Sequence, residues 1–288
     1  MKIIDANTRL RERGGPKVLI VGPSGVGKTS LLRTLSTGLL ASTLFIDIEA
    51  GDLAVADVPV ASVQPRTWGD CRDTAVVVGG FNPTLPATAY YSEAHYNSVM
   101  QNSELARLST FNTLFVDSLT AASRLCFTWA EQQPEAVTNR GYKDLRSIYG
   151  IHGRAMIGWL NQLQHIRNST VVFVAVLEKH VDDCNIATWQ PQIEGAKTIR
   201  ELPAIVDEII TMNWVDFGDH KPVRAFVCTN PNAWSYPAKD RSGRLDQFEP
   251  PNLGALIEKL TSYGQRKPFT IVSTGQDAQA EETGHGAV

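Results

Sequence analysis

Apolar residues in this chain gather in short runs rich in β-branched side chains, and those runs alternate with stretches whose apolar positions recur every three or four residues. A run that is apolar at every position suits a strand buried on both faces of a parallel sheet, and the longer period suits the helices that cover such a sheet. Strands are therefore expected at residues 17–21, 44–48, 113–116, 170–177, 206–212 and 223–229. Helices are expected after the first strand, with Leu31, Leu32, Leu35 and Leu39 on the apolar face, and at 68–78, 120–132, 142–166 and 253–262. The 142–166 helix has the longest periodic pattern, with Tyr142, Leu145, Tyr149, Met156, Leu160 and Leu163 as its stripe. The alternation predicts an α/β fold, a mostly parallel central sheet with helices on both faces.

Three segments break the alternation. Residues 81–110 are polar and rich in Tyr, Ser and Asn, and read as an insertion with short helices. Residues 178–203 contain Asp182, Asp183, Pro191 and Gly195 and read as a long loop. Beyond about residue 265 periodicity is lost, so the expected organisation is one domain over 1–264 and a disordered tail over 265–288. No internal repeat is visible.

Composition narrows the function classes only modestly. The 288 residues are 43% hydrophobic and 20% charged, with a net charge of −3. That length supports a sizeable core without disulfides or a structural metal. The charge gives no global field for nucleic acid or an acidic membrane, so DNA binding would need a local basic patch or an oligomer. Cys71, Cys126, Cys184 and Cys228 are far apart and form no zinc or redox motif. The N-terminus lacks the apolar stretch of a signal peptide, and the longest apolar run, 171–177, is too short to span a bilayer. A cytoplasmic protein without membrane contact is the expectation.

One motif carries explicit chemistry. Gly22-Pro23-Ser24-Gly25-Val26-Gly27-Lys28-Thr29 fits GxxxxGK[ST], between a strand and an amphipathic helix. Its glycines let backbone N–H groups turn inward on phosphates, and the helix start adds partial positive charge. Lys28 would reach the β- and γ-phosphates, the Thr29 hydroxyl would bind Mg²⁺, and Ser30 would close the cradle. The nucleotide is read as ATP. Asp117 ends the 113–116 run, where its carboxylate either orients Mg²⁺ or caps the next helix. Asp47 and Glu49 point to one side of their strand, so either one is placed to activate water. Lys239 and Arg241 form a two-pronged cation before a turn, either a solvated loop or a charge clamp on a neighbouring subunit's nucleotide.

Taken together, Val18 to Ser30, LFIDIEAG at 44–51, TLFVDSLT at 113–120, residues 171–180 and 195–212, and AKDRSGRL at 238–245 resemble the RecA-like branch of the P-loop ATPases. Within it the likeness is greatest to phage RecA-like ATPases of single-strand annealing and recombination. The resemblance implies that Glu49 is the catalytic glutamate and that Lys239 and Arg241 act in trans within a ring or filament. It implies partners as well: further copies of this chain, and single-stranded DNA or a single-strand-binding protein contacted through 178–203. That segment departs from the pattern, having Glu178-Lys179-His180 where a polar sensor, commonly Gln, is usual, and more acidic than basic residues. His180 reads as a hydrogen-bonded loop residue, and among Trp189, Trp214 and Trp234 at least two read as packing residues. A nucleotide-dependent switch or assembly ATPase acting on a protein partner is the alternative. A small-molecule kinase is a third reading, and Glu49 argues against it.

Overall fold

The computed structural model describes residues 5, 6 and 8 and residues 14–262, except 182, 219 and 220. The tail expected at 265–288 lies outside the described residues, as does Asp182. Among the described residues the strands are β1 (Lys17–Gly22), β2 (Thr43–Asp47), β3 (Ala61–Val63), β4 (Thr113–Asp117), β5 (Thr170–Val181), β6 (Ala187–Pro191), β7 (Glu208–Val215), β8 (Val223–Val227), β9 (Lys239–Asp240) and β10 (Phe248–Glu249). The α-helices are α1 (Thr37–Ala41), α2 (Trp68–Gly79), α3 (Glu93–Met100), α4 (Ser103–Ala106), α5 (Leu119–Ala130), α6 (Leu145–Gln164), α7 (Ala196–Ile205) and α8 (Leu253–Thr261).

The sheet order is β10-β8-β7-β1-β5-β4-β2-β3, with β6 on β5 and β9 on β7. From β3 across to β7 every neighbouring pair along this order is parallel. The hairpin partner β8 and the short β10 add antiparallel edges. Strand alternation divides the core in two. Leu19, Val21, Leu44, Ile46, Leu114, Val116 and Phe173 pack with α2, α5, α6 and α7 on one face. Val18, Ile20, Phe45, Phe115, Val172, Val174 and Ile210 meet Leu31, Leu32, Leu35 and α8 on the other. This is the expected α/β architecture with helices on both faces.

Several local expectations need correction. The segment 178–203 is not a long loop: β5 runs on to Val181, turns at Asn185 (φ 61°) and returns as β6, and α7 follows. The two strands pair from Leu177 with Pro191 to Val181 with Ala187, and Asn tolerates the left-handed turn. The helix after the phosphate loop is broken. Thr29–Thr34 is a 3₁₀ helix, Leu35 is extended, and Ser36 caps the short α1. In α6 the buried stripe is Ile148, Ile151, His152, Met156, Trp159, Leu160 and Leu163. Tyr142, Leu145 and Tyr149 are exposed, so the first half of the expected stripe was placed on the wrong side.

The insertion does contain short helices. Ser92 and Asn102 cap α3 and α4. The Arg72 guanidinium of α2 lies 3.6 Å from the Tyr90 ring centroid and 4.7 Å from that of Trp129, a cation–π sandwich that ties the insertion to the body.

Candidate nucleotide site

The phosphate loop leaves the C-terminal end of β1. Gly25 (φ 76°) and Gly27 (φ 99°) hold conformations that side chains with a Cβ disfavour, which turns the loop tightly enough to aim its N–H groups inward. Lys28 Nζ donates to the Gly22 and Pro23 carbonyls, both at 2.8 Å, so the ammonium sits across the loop mouth. Burial lowers the Lys28 pKa, while Asp117 and Glu49 pull it back up. A buried cation satisfied only by carbonyls fits a place where a phosphate would supply the missing charge.

Asp117 ends β4, 3% exposed, and Thr29 Oγ1 donates to its Oδ2 at 2.5 Å. Burial pushes the Asp117 carboxyl up to about 6, opposed by the Thr29 bond and reinforced by the charge of Glu49. The capping alternative for Asp117 falls to its neighbour, because Ser118 Oγ accepts from Ala121 N at the start of α5. The Thr29 hydroxyl and one carboxylate suit Mg²⁺, which binds few protein ligands and keeps waters and phosphate oxygens. No cluster of three His, Cys, Asp or Glu residues is present among the described residues.

Asp47 and Glu49 separate once the backbone turns. Asp47 Oδ1 accepts from Gly51 N at 2.9 Å and its Oδ2 from Gln64 at 3.2 Å, so that carboxylate braces the turn after β2. Ile48 N and Glu49 N both donate to the Asp117 carbonyl. Glu49 Oε1 in turn accepts from Ser118 Oγ at 2.7 Å. The structure therefore brings Lys28, Thr29, Asp117 and Glu49 together at one edge of the sheet, with Asp47 behind them.

Lys239 and Arg241 are not part of that group. They stand on and just after β9, which pairs with Glu208 and Ile209 at the start of β7, at the sheet edge opposite the phosphate loop. Lys239 Nζ donates to the Pro203 and Val206 carbonyls at 2.6 and 2.7 Å, closing the C-terminus of α7. Arg241 pairs with Asp207 at 2.8 Å. Glu178 accepts from Gln190 and lines a polar cavity of about 260 Å³ with Thr120, Arg124 and Glu194. His180 is exposed within the β5–β6 ladder. Trp189 and Trp234 pack on Tyr236, while Trp214 is 57% exposed.

Sequence reasoning missed Arg224. It stands at the start of β8, opposite Trp214, and its Nη1 donates to the Val26 carbonyl at 3.4 Å. No spacing in the sequence links Arg224 to residues 22–29; the contact exists because β8 pairs with β7 and β7 with β1.

No helix among the described residues is long and apolar enough to cross a membrane. No curated protein matches the chain. Solved structures of similar fold include a KaiC-like protein from Pyrococcus horikoshii, 14% identical, with 74% of this chain and 78% of that one covered and a TM-score of 0.37. The RadB recombinase is 15% identical over 75% and 80% of the two chains, with a TM-score of 0.36. An ATPase of a bacterial type III secretion system is 16% identical over 69% and 51%, with a TM-score of 0.40. The profile of the AAA domain family matches residues 14–242, and the chain belongs to that family as a P-loop ATPase.

Proposed function

We propose that the protein is an Mg²⁺-dependent ATPase that assembles head to tail and acts on single-stranded DNA in phage-type recombination or annealing. The observation that carries this reading is the opposition of two charged sets, Lys28, Thr29, Asp117 and Glu49 at one sheet edge and Lys239 and Arg241 at the other. A P-loop site that its own chain's Lys239 and Arg241 do not reach gains them if the far edge of a second copy docks on it. Residues 22–30 hold the phosphates, and Lys28 leaves the Gly22 and Pro23 carbonyls for phosphate oxygens. Thr29 and Asp117 would hold Mg²⁺, which would supply charge neutralisation on the phosphates. Glu49, oriented by Ser118, accepts the proton of the attacking water.

Arg241 is the freer of the two far-edge cations. Its pair with Asp207 is half exposed, and such pairs contribute about 0–1 kcal/mol, so giving it up for a neighbour's phosphate costs little. Lys239 is held by two carbonyls and serves α7 in the single chain. The test is steady-state ATPase activity against protein concentration, with Arg241→Ala beside the wild type. Specific activity should rise with concentration in the wild type and fall at least about a hundredfold in the variant. Activity independent of concentration and unchanged by the substitution rules the trans clamp out.

A second reading is favoured by charge. The β5–β6 hairpin and α7 carry Glu178, Asp183, Glu194 and Glu201 against Lys179, Lys197 and Arg200. That balance suits a switch ATPase working on a protein partner better than a phosphate-tracking groove. Single-strand affinity at two salt concentrations decides between them: salt-sensitive binding supports the DNA reading, and no binding at low salt removes it.

A further inference from the structure

β1 is flanked on one side by β5, β4 and β2, which deliver Asp117 and Glu49, and on the other by β7 and β8. That second flank carries Trp214 and Arg224, which face each other across the β7–β8 ladder on the same side of the sheet. The Arg224 guanidinium carbon lies 5.7 Å from the Trp214 ring centroid. Its Nη1 would stand 2.7 Å from a Cβ placed on Gly27, so the guanidinium rests directly on the phosphate loop in the space a side chain there would need. Its one hydrogen bond to the loop, to the Val26 carbonyl, is long at 3.4 Å, and it forms no ion pair among the described residues. The indole beside it is 57% exposed.

We propose that Trp214 and Arg224 form the nucleoside end of the nucleotide site, the guanidinium taking the phosphate next to the ribose and the indole face stacking on the base. This rests on the reading of residues 22–29 as the ATP cradle and extends it. Hydrolysis places the terminal phosphate beside Glu49 and Asp117. A triphosphate lying along the loop therefore directs its ribose and base away from those carboxylates, across Gly27 and onto the β7–β8 flank. That flank carries a cation beside the loop, Arg224, and an exposed aromatic ring next to it, Trp214. A charge-assisted bond to a phosphate oxygen is stronger than the present bond to a neutral carbonyl, so the guanidinium gains by moving a short way. Stacking accepts any base, because every base offers a π face, and the pair therefore grips ATP and GTP alike.

The experiment is equilibrium binding of ATP, ADP and inorganic tripolyphosphate to the full chain carrying Trp214→Ala, Arg224→Ala or Lys28→Ala, each checked for a wild-type melting temperature. Trp214→Ala should weaken ATP and ADP about tenfold and leave tripolyphosphate unchanged. Arg224→Ala should weaken ATP and ADP by the same factor, again about tenfold. Loss for ATP but not ADP puts Arg224 on the terminal phosphate and overturns the proposal, as does unchanged binding in both variants. Trp214→Phe should keep affinity while removing part of the intrinsic fluorescence change on ADP binding; an unaltered change also overturns it. Lys28→Ala separates the two levels of inference. If it retains wild-type affinity for all three ligands, the cradle itself is misread and the nucleoside end falls with it. If Lys28→Ala loses binding while the two flank variants keep it, only the nucleoside end is wrong.

Discussion

Asp47 and Glu49 sit two residues apart at the end of one strand and serve different ends. Asp47 is 2% exposed and its oxygens are occupied by Gly51 N and Gln64, so it shapes the turn in which Ala50 adopts φ 56°. That turn aims Glu49 at Ser118, beside Asp117. Alternation alone placed the two carboxylates as equals; the distinction lies in a backbone turn that no periodicity encodes. If Glu49 takes the proton of the attacking water, Glu49→Gln should bind ATP with nearly wild-type affinity and hydrolyse it about 10²–10⁴-fold more slowly. Single-turnover phosphate release beside equilibrium ATP binding measures this, and turnover within a few fold of wild type moves the role elsewhere.

At the scale of elements, the central strands were legible because burial on both faces demands an unbroken apolar run, as in the fully buried β1. Tyr142 precedes α6, and Leu145 and Tyr149 match its helical spacing but face solvent, because the buried side is set by Ile148, Ile151 and Trp159. The β5–β6 hairpin was hidden by polar residues on strands that leave the body of the sheet. The β7–β9 pairing was also invisible, although it fixes Lys239 and Arg241 through a carboxyl pair. Burial, then the charge of Asp240, pushes the Glu208 carboxyl up to about 8. Burial also works to raise Asp240, but donors from Ser242, Leu245, Glu208 and Gly243 outweigh it and hold Asp240 ionised.

The raised Glu208 pKa favours a proton on Glu208 shared with Asp240, while the Glu208 oxygens accept from Arg241 N and Ser242 N. Because its folded pKa lies above the ordinary value of 4.5, the stability it contributes is whole below about 4.5 and is lost as pH rises through about 8. Glu208→Gln, which can donate at every pH, should lose less stability than wild type between pH 5 and 9, by on the order of a few kcal/mol. Urea unfolding at pH 5, 7 and 9 provides the comparison, and parallel curves for the two proteins show that Glu208 does not titrate in that window.

For the whole molecule, the distance between the two charged edges matters more than either edge alone. The sequence could suggest that Lys239 and Arg241 act on another subunit's nucleotide, but only the topology shows them at the start of β7 rather than at its P-loop end. A contact joining opposite edges is heterologous, so repeated docking gives a ring or a filament rather than a closed two-fold dimer. In the proposed head-to-tail assembly every working site would combine the phosphate loop of one copy with Arg241 of the next. Lys28→Ala has a dead loop and an intact Arg241, and Arg241→Ala has the reverse. Each should be inactive alone. Mixed in equal amounts with random assembly, they should regain about one quarter of wild-type activity, because about one quarter of interfaces unite an intact loop with an intact arginine. Phosphate release from the mixture, measured after the two proteins exchange subunits, reads this directly. A mixture as inactive as its components means that both groups are needed within one chain, and head-to-tail completion of the site is then excluded.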